Sequence, residues 1–136
     1  MSETESLVAT ETASPGKAWQ VTLWVLQVLA AVMFLFAGYL KLAGSPDMVA
    51  LFAGIGIGQW FRYVTGTLEI LGALALFIPR LRALGALGLA AVMVGALITD
   101  LFIVHISPLP ALVDLVIVAV IAWGRRRELG TLVSTN

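Results

Sequence analysis

The chain has 136 residues, of which 60% are hydrophobic and 12% charged, with eight basic side chains against eight acidic ones and a mean hydropathy of +1.02. A soluble domain this small has too little interior to hide that much apolar surface, so the composition points to a protein whose solvent is a lipid bilayer. Balanced charge gives no basic excess for nucleic acid, and the absence of cysteine excludes thiol exchange, iron–sulfur binding and thiolate haem.

Residues 1–17 are rich in Ser, Thr and Glu, contain Pro15-Gly16 and show no apolar period, which predicts a disordered tail. Glu3, Glu5 and Glu11 precede a single lysine, unlike the short basic start of a signal peptide, so the apolar segment that follows is expected to stay as an anchor. That segment is uncharged from Ala18 to Leu40. It exceeds the roughly 20 residues a helix needs to cross hydrocarbon, and the first span is placed at 18–42.

Next, Ser45-Pro46-Asp47 reads as an N-cap followed by proline at the first helical position. A short helix from Pro46 to about Ala53 is expected along the outer interface, with Met48, Val49, Leu51 and Phe52 embedded. Gly54, Gly56 and Gly58 are spaced for neither a P-loop nor a dinucleotide turn and read as a hinge in preference to a ligand cradle.

The second span is expected over 60–78, stopped by Pro79-Arg80. The third is expected over 83–106, and Pro108 and Pro110 make a tight return into a fourth over 108–124. Arg125, Arg126 and Arg127 close it and open a basic tail, 125–136. Four crossings put both termini on one side, together with Lys17, Arg80, Arg82 and the three terminal arginines, against Lys41 and Arg62 opposite. The positive-inside rule then predicts cytoplasmic termini. Trp19, Trp60 and Trp123 fall near span ends, as an aromatic belt expects, with Trp24 about one turn inside. The expected fold is all-α: one integral four-helix bundle in the cell inner membrane.

Glu69 stands alone in the second span, and helical periodicity gives its face Thr65, Gly66, Gly72 and Ala73, the smallest residues of that helix. Small residues permit close helix approach, so Glu69 is expected to point into the bundle. At about 1.5 Å per residue, Glu69, Asp100 and Asp114 lie roughly 9 to 14 Å below the outer surface. Lys41, Arg62 and His105 lie near that surface. The ionisable groups therefore gather in the outer half, and the inner half is expected to be dry. The candidate pocket comprises Lys41, Trp60, Arg62, Tyr63, Glu69, Asp100, His105 and Asp114.

Three carboxyls against two cations leave a surplus, so that at least one carboxyl is expected to be protonated, to face water or to meet an ion. One reading has Lys41 or Arg62 pairing with Glu69 or Asp100 as structural glue. Another makes the group a proton or quinone site. Without an H-x-x-H or E-x-x-H pair, and with one histidine, a metal site is not expected, and bis-histidine haem would require two copies of His105. The small residues of the third span, including Gly85, Ala86, Gly88, Ala90, Ala91, Gly95 and Ala96, read as helix contacts.

Phe36-Ala37-Gly38-Tyr39-Leu40-Lys41-Leu42, the run from Gly58 to Gly66, Glu69-Ile70-Leu71-Gly72-Ala73, Ile78-Pro79-Arg80 and the glycine-alanine run ending Ala91-Val92-Met93 together resemble the DoxX-like family of small four-helix membrane proteins. The resemblance covers about half the chain, Phe36 to Leu101. It implies a cytoplasmic-membrane protein of bacteria or archaea, with some relatives serving as subunits of thiosulfate to quinone oxidoreductases or as membrane partners of soluble redox enzymes. Lys41, Arg62 and Glu69 come across as motif positions.

The first functional expectation is an accessory subunit of a quinone-linked redox system, with no covalent cofactor. Its pocket would take a quinone headgroup or carry protons, with Trp60 and Tyr63 flanking the entrance. Its partners would be the lipid bilayer and a soluble or membrane redox enzyme. The second is a small proton-coupled transporter working as a homo-oligomer, a dimer; the third is a purely structural subunit.

Overall fold

A computed structural model describes the backbone from Glu3 to Ser134 and the side chains of residues 16–130. The described chain is all-α and contains no strand: α1 (Glu3–Ala43), α2 (Pro46–Ile55), α3 (Trp60–Ala75), α4 (Arg82–Phe102), α5 (Leu109–Gly124) and α6 (Arg126–Ser134). The expectation for the tail, residues 1–17, falls largely on side chains outside the described ones; in backbone, α1 continues without a break to Glu3. The basic C-terminal segment forms α6 and is tied back through Glu128.

Local chemistry sets the boundaries. Ser45 caps α2, its Oγ accepting from Met48 N–H at 3.4 Å, with Pro46 in the first turn. The helix runs to Ile55, two residues past its expected end, and stops at Gly56, whose φ of 88° is left-handed. Gly44, at φ 72°, turns the chain on the other side of α2. Helix α3 is shorter than expected because its last turn tightens after Ala75, where Leu76 N–H is shared between the carbonyls of Gly72 and Ala73. Likewise α4 ends at Phe102, four residues before the expected limit, since Ile103 and Val104 N–H both fold back onto Thr99 O. Pro108 and Pro110 open α5 as expected.

Helices α1, α3, α4 and α5 close a ring in which each packs on the next, α1 on α3, α3 on α4, α4 on α5 and α5 on α1. Phe34, Leu76, Leu89, Val118 and Ile121 fill its centre. Backbones approach where side chains are absent. A Cβ on Gly38 would lie 2.9 Å from Gly66 O, one on Gly85 would lie 3.0 Å from Gly72 O, and one on Gly72 would meet Leu89 at 2.6 Å. The small face of α3 is thus its buried face, with Gly66, Glu69 and Ala73 inside.

The outward faces carry Val21, Val25, Val32 and Phe36 on α1, Leu71 and Leu74 on α3, Leu87, Val94 and Ile98 on α4, and Leu112, Val113 and Val116 on α5, all exposed. Within the described residues, Gly16–Ala43 and α4 are each long and apolar enough to cross a bilayer.

The half expected to be dry is not free of polar groups. At the end where α1 enters and α5 leaves the ring, Gln27 is fully buried and joins three helices. Its Nε2 donates to Leu76 O at 2.8 Å, and its Oε1 accepts from Arg125 Nε at 2.9 Å. Arg125 also donates to Gln20 Oε1 at 2.6 Å, while Arg82 meets both oxygens of Glu128 at 2.8 and 2.9 Å. Burial, followed by the neighbouring Arg82, lowers the pKa of Arg125, and Glu128 acts in the opposite sense. The expectation of a dry inner half came from counting ionisable groups alone, which passes over a neutral amide such as Gln27.

Two stability outcomes follow. Gly38→Val should lower the Tm of the purified protein by pushing α1 from α3, a loss of about 1–3 kcal/mol, whereas Gly88→Ala, with nothing within 4 Å, should leave Tm unchanged or raise it. Gln27→Leu should destabilise by about 2 kcal/mol or more, because it strands Leu76 O and Arg125 Nε–H in the interior; an unchanged Tm would show that water satisfies both groups.

Candidate functional site

Lys41 lies in the last turn of α1 and Glu69 in the middle of α3, and the Gly38–Gly66 contact brings them together. Lys41 Nζ sits 3.0 Å from Glu69 Oε1 and 3.2 Å from Oε2, so one ammonium serves both carboxylate oxygens. The Glu69 side chain is 1% exposed and that of Lys41 14%. A Cβ on Gly66 would lie only 3.0 Å from Lys41 Cβ; glycine there leaves the path along which the lysine stem passes to reach the carboxylate one turn further on. Burying such a pair is weak evidence for net stability, but removing one partner leaves an uncompensated charge at about 3–5 kcal/mol.

Beside this pair opens a cavity of about 420 Å³, within the roughly 300–1,000 Å³ common for small-molecule sites. Lys41, Glu69, Asp100 and Asp114 all line it, one from each of the four ring helices. Its apolar wall includes Phe34, Phe61, Leu68 and Met93. Helix α2 covers it with Met48, Leu51, Phe52 and Ile55, and Phe52 packs edge-on against Phe61 at 5.8 Å between ring centroids. Thr65, Thr99 and Ser107 add hydroxyls.

Four of the eight sequence candidates therefore converge, and four do not. Arg62 is buried but does not line the cavity. Its Nη1 donates to the backbone carbonyl of Lys41 and its Nε to Gln59 Oε1 at 2.8 Å, so this cation caps the C-terminal end of α1. Trp60 and Tyr63 are 58% and 50% exposed and do not flank the cavity. The reason is phase on α3: Phe61, Val64, Thr65 and Leu68 present the cavity face, and Trp60 and Tyr63 fall to its sides. Trp60 instead donates Nε1–H to Ile57 O at 2.7 Å, and the Arg62 guanidinium lies 4.4 Å from the centre of the Tyr63 ring. His105, expected inside the third span, is exposed in the loop after α4 with a left-handed φ of 53°.

Removing Arg62 from the cavity sharpens its charge imbalance. Lys41 alone faces Glu69, Asp100 and Asp114. Among the described residues no three acidic or imidazole groups come close enough to hold a metal ion, so these carboxyls surround a space and do not converge on a point.

The sequence reading missed the lid residues Met48 and Phe52 as cavity wall, although it had placed them on a short helix. It also assigned the small residues of the third span wholly to packing. Gly85 and Ala86 do pack against α3, but Ala91, Gly95 and Ala96 line the cavity, and Gly88 meets nothing within 4 Å.

Comparison with known proteins fits this architecture. A Bacillus subtilis (strain 168) protein named "Putative oxidoreductase CatD" is 24% identical over 84 residues, covering 62% of this chain and 63% of that protein's length. The chain thus spans less than two thirds of that relative. No solved structure matches it significantly. Residues 25–125 match the DoxX-like family, a stretch that runs from the middle of α1 through every cavity-lining side chain to the Arg125 lock, and the chain belongs to that membrane-associated family.

Proposed function

We propose that the protein is a four-span accessory subunit of a quinone-linked membrane redox system, and that its cavity receives the headgroup of the hydrophobic carrier. The observation that carries this reading is the cavity itself: apolar walls, a buried Lys41–Glu69 pair and two further carboxyls, under a short apolar lid. The likeness to a relative named an oxidoreductase supports the redox link. With no cysteine in the sequence, electron transfer belongs to the carrier and a partner enzyme.

Four crossings are supported by the apolar outer faces of all four ring helices. Helices α3 and α5 have 16 residues each, roughly 24 Å of rise, and their flanking turns extend them towards a full crossing. The α3–α4 turn, the start of the first span and the α5–α6 junction meet through Arg82, Gln20, Arg125 and Glu128, as a fold with both termini on one face requires. The excess of Lys and Arg at that end supports a cytoplasmic orientation in the inner membrane. Helix α2 then lies at the opposite interface, positioned between the membrane surface and the cavity.

In this scheme Lys41 orients Glu69, and the carboxyls of Asp100 and Asp114 face the bound headgroup. The surplus of carboxyls also favours a second reading, a proton-coupled transporter working as a dimer; substrate-stimulated proton release from the purified protein would distinguish it.

Glu69→Gln is expected to insert and fold with a lowered Tm, because an amide can still accept from Lys41 without balancing its charge, while quinone that copurifies with the protein falls about tenfold or more, the equivalent of about 1.4 kcal/mol of binding. Extraction and quantification of quinone from protein in lipid nanodiscs checks this. Equal quinone content in the wild type and in a well-folded variant would contradict the reading.

A further inference from the structure

Hydrogen-bonding capacity around the cavity is divided unequally. Thr65 donates its hydroxyl to Phe61 O at 2.9 Å and Thr99 donates to Gly95 O at 2.8 Å, each satisfied by its own helix. Lys41 is turned to both oxygens of Glu69. Ser107 Oγ accepts from Leu109 N–H at 3.3 Å, which leaves its hydroxyl hydrogen free to donate. By contrast, no described residue donates a hydrogen bond to the side-chain oxygens of Asp100 or Asp114, although both line the cavity. Two carboxyls thus stand with unpartnered oxygens, while most of the donors beside them are engaged.

A ligand that brings donors of its own meets these unpartnered oxygens. Among the described residues no three such groups are placed to hold a metal ion, and the aromatic and methionine walls suit a donor carried on an organic skeleton. A quinone headgroup presents carbonyl acceptors, whereas its reduced form presents hydroxyls that donate.

We infer that the cavity selects the reduced form of its carrier, a quinol whose hydroxyls donate to Asp100 and Asp114. The inference rests on the quinone-linked reading of the cavity and adds to it the redox state that the site prefers.

The test uses the purified full chain in nanodiscs, with equilibrium dialysis of a short-tailed benzoquinol kept reduced and of the matching benzoquinone. The quinol should bind about tenfold tighter or more, the scale of one charge-assisted hydrogen bond. Asp100→Asn and Asp114→Asn each exchange an acceptor oxygen for an N–H donor at nearly the same shape. Both should weaken quinol binding and strengthen quinone binding, a change of sign that loss of folding cannot imitate. Should the variants fail to fold, the wild-type comparison decides alone. Equal binding of the two forms, or tighter quinone binding, overturns the inference and leaves the quinone-linked reading standing. Binding of neither form overturns both, and binding of n-decylammonium in their place would assign the acceptors to an organic cation.

Discussion

A carboxylate buried among apolar helices must have a partner, and the rest of the structure is arranged so that Glu69 has one. Lys41 reaches it only because α1 and α3 touch backbone to backbone at Gly38 and Gly66, and because Gly66 leaves room for the lysine stem. Arg62 fixes the same contact from outside by holding the terminal carbonyl of α1. Register between the two helices, the position of α2 and the location of the cavity all follow from that junction. Any change that separates α1 from α3 therefore disturbs packing, charge compensation and ligand space together.

The two ends of the ring solve different problems with similar residues. At the Arg125 end, glycine and alanine let helices meet, and Gln27 with Arg125, Arg82 and Glu128 closes the junction with hydrogen bonds. At the Lys41 end, Ala91, Gly95 and Ala96 of α4 are small without being covered, and the space they leave is the cavity. Along α4, small residues thus serve contact towards one end, as at Gly85, and vacancy towards the other. The lipid-facing surfaces need no such specificity, and they carry Val, Leu, Ile and Phe.

Much of the fold was legible because the bilayer forces a simple code of length and hydropathy on the chain. The all-α class, the α2 cap at Ser45, the proline entry to α5 and the inward face of Glu69 were each predictable from a few residues. Helix ends were less legible, since α3 and α4 tighten or fold back through local backbone bonds that hydropathy does not encode. Within the site, depth along the chain grouped Lys41, Glu69, Asp100 and Asp114 correctly. Depth says nothing about direction, however: Trp60 and Tyr63 fall to the sides of the cavity face, Arg62 turns to the Lys41 carbonyl, and His105 lies in the loop after α4. Gln27 escaped because a neutral amide in an apolar segment looks unremarkable until its partners 49 and 98 residues away are known.

The functional account depends on the cavity being the place where a hydrophobic carrier meets the protein. Its apolar wall would hold the ring, the carboxyls would meet its oxygens, and α2, turned by Gly44 and Gly56, would stand at its mouth. The most direct measurement is photo-crosslinking with an azido-quinone in membranes, followed by peptide mapping. The account predicts label concentrated on cavity residues such as Phe52, Phe61 and Met93 and suppressed by excess unlabelled quinone. Label spread over the lipid-facing residues Val25, Leu71 and Val116, and insensitive to competitor, would contradict it.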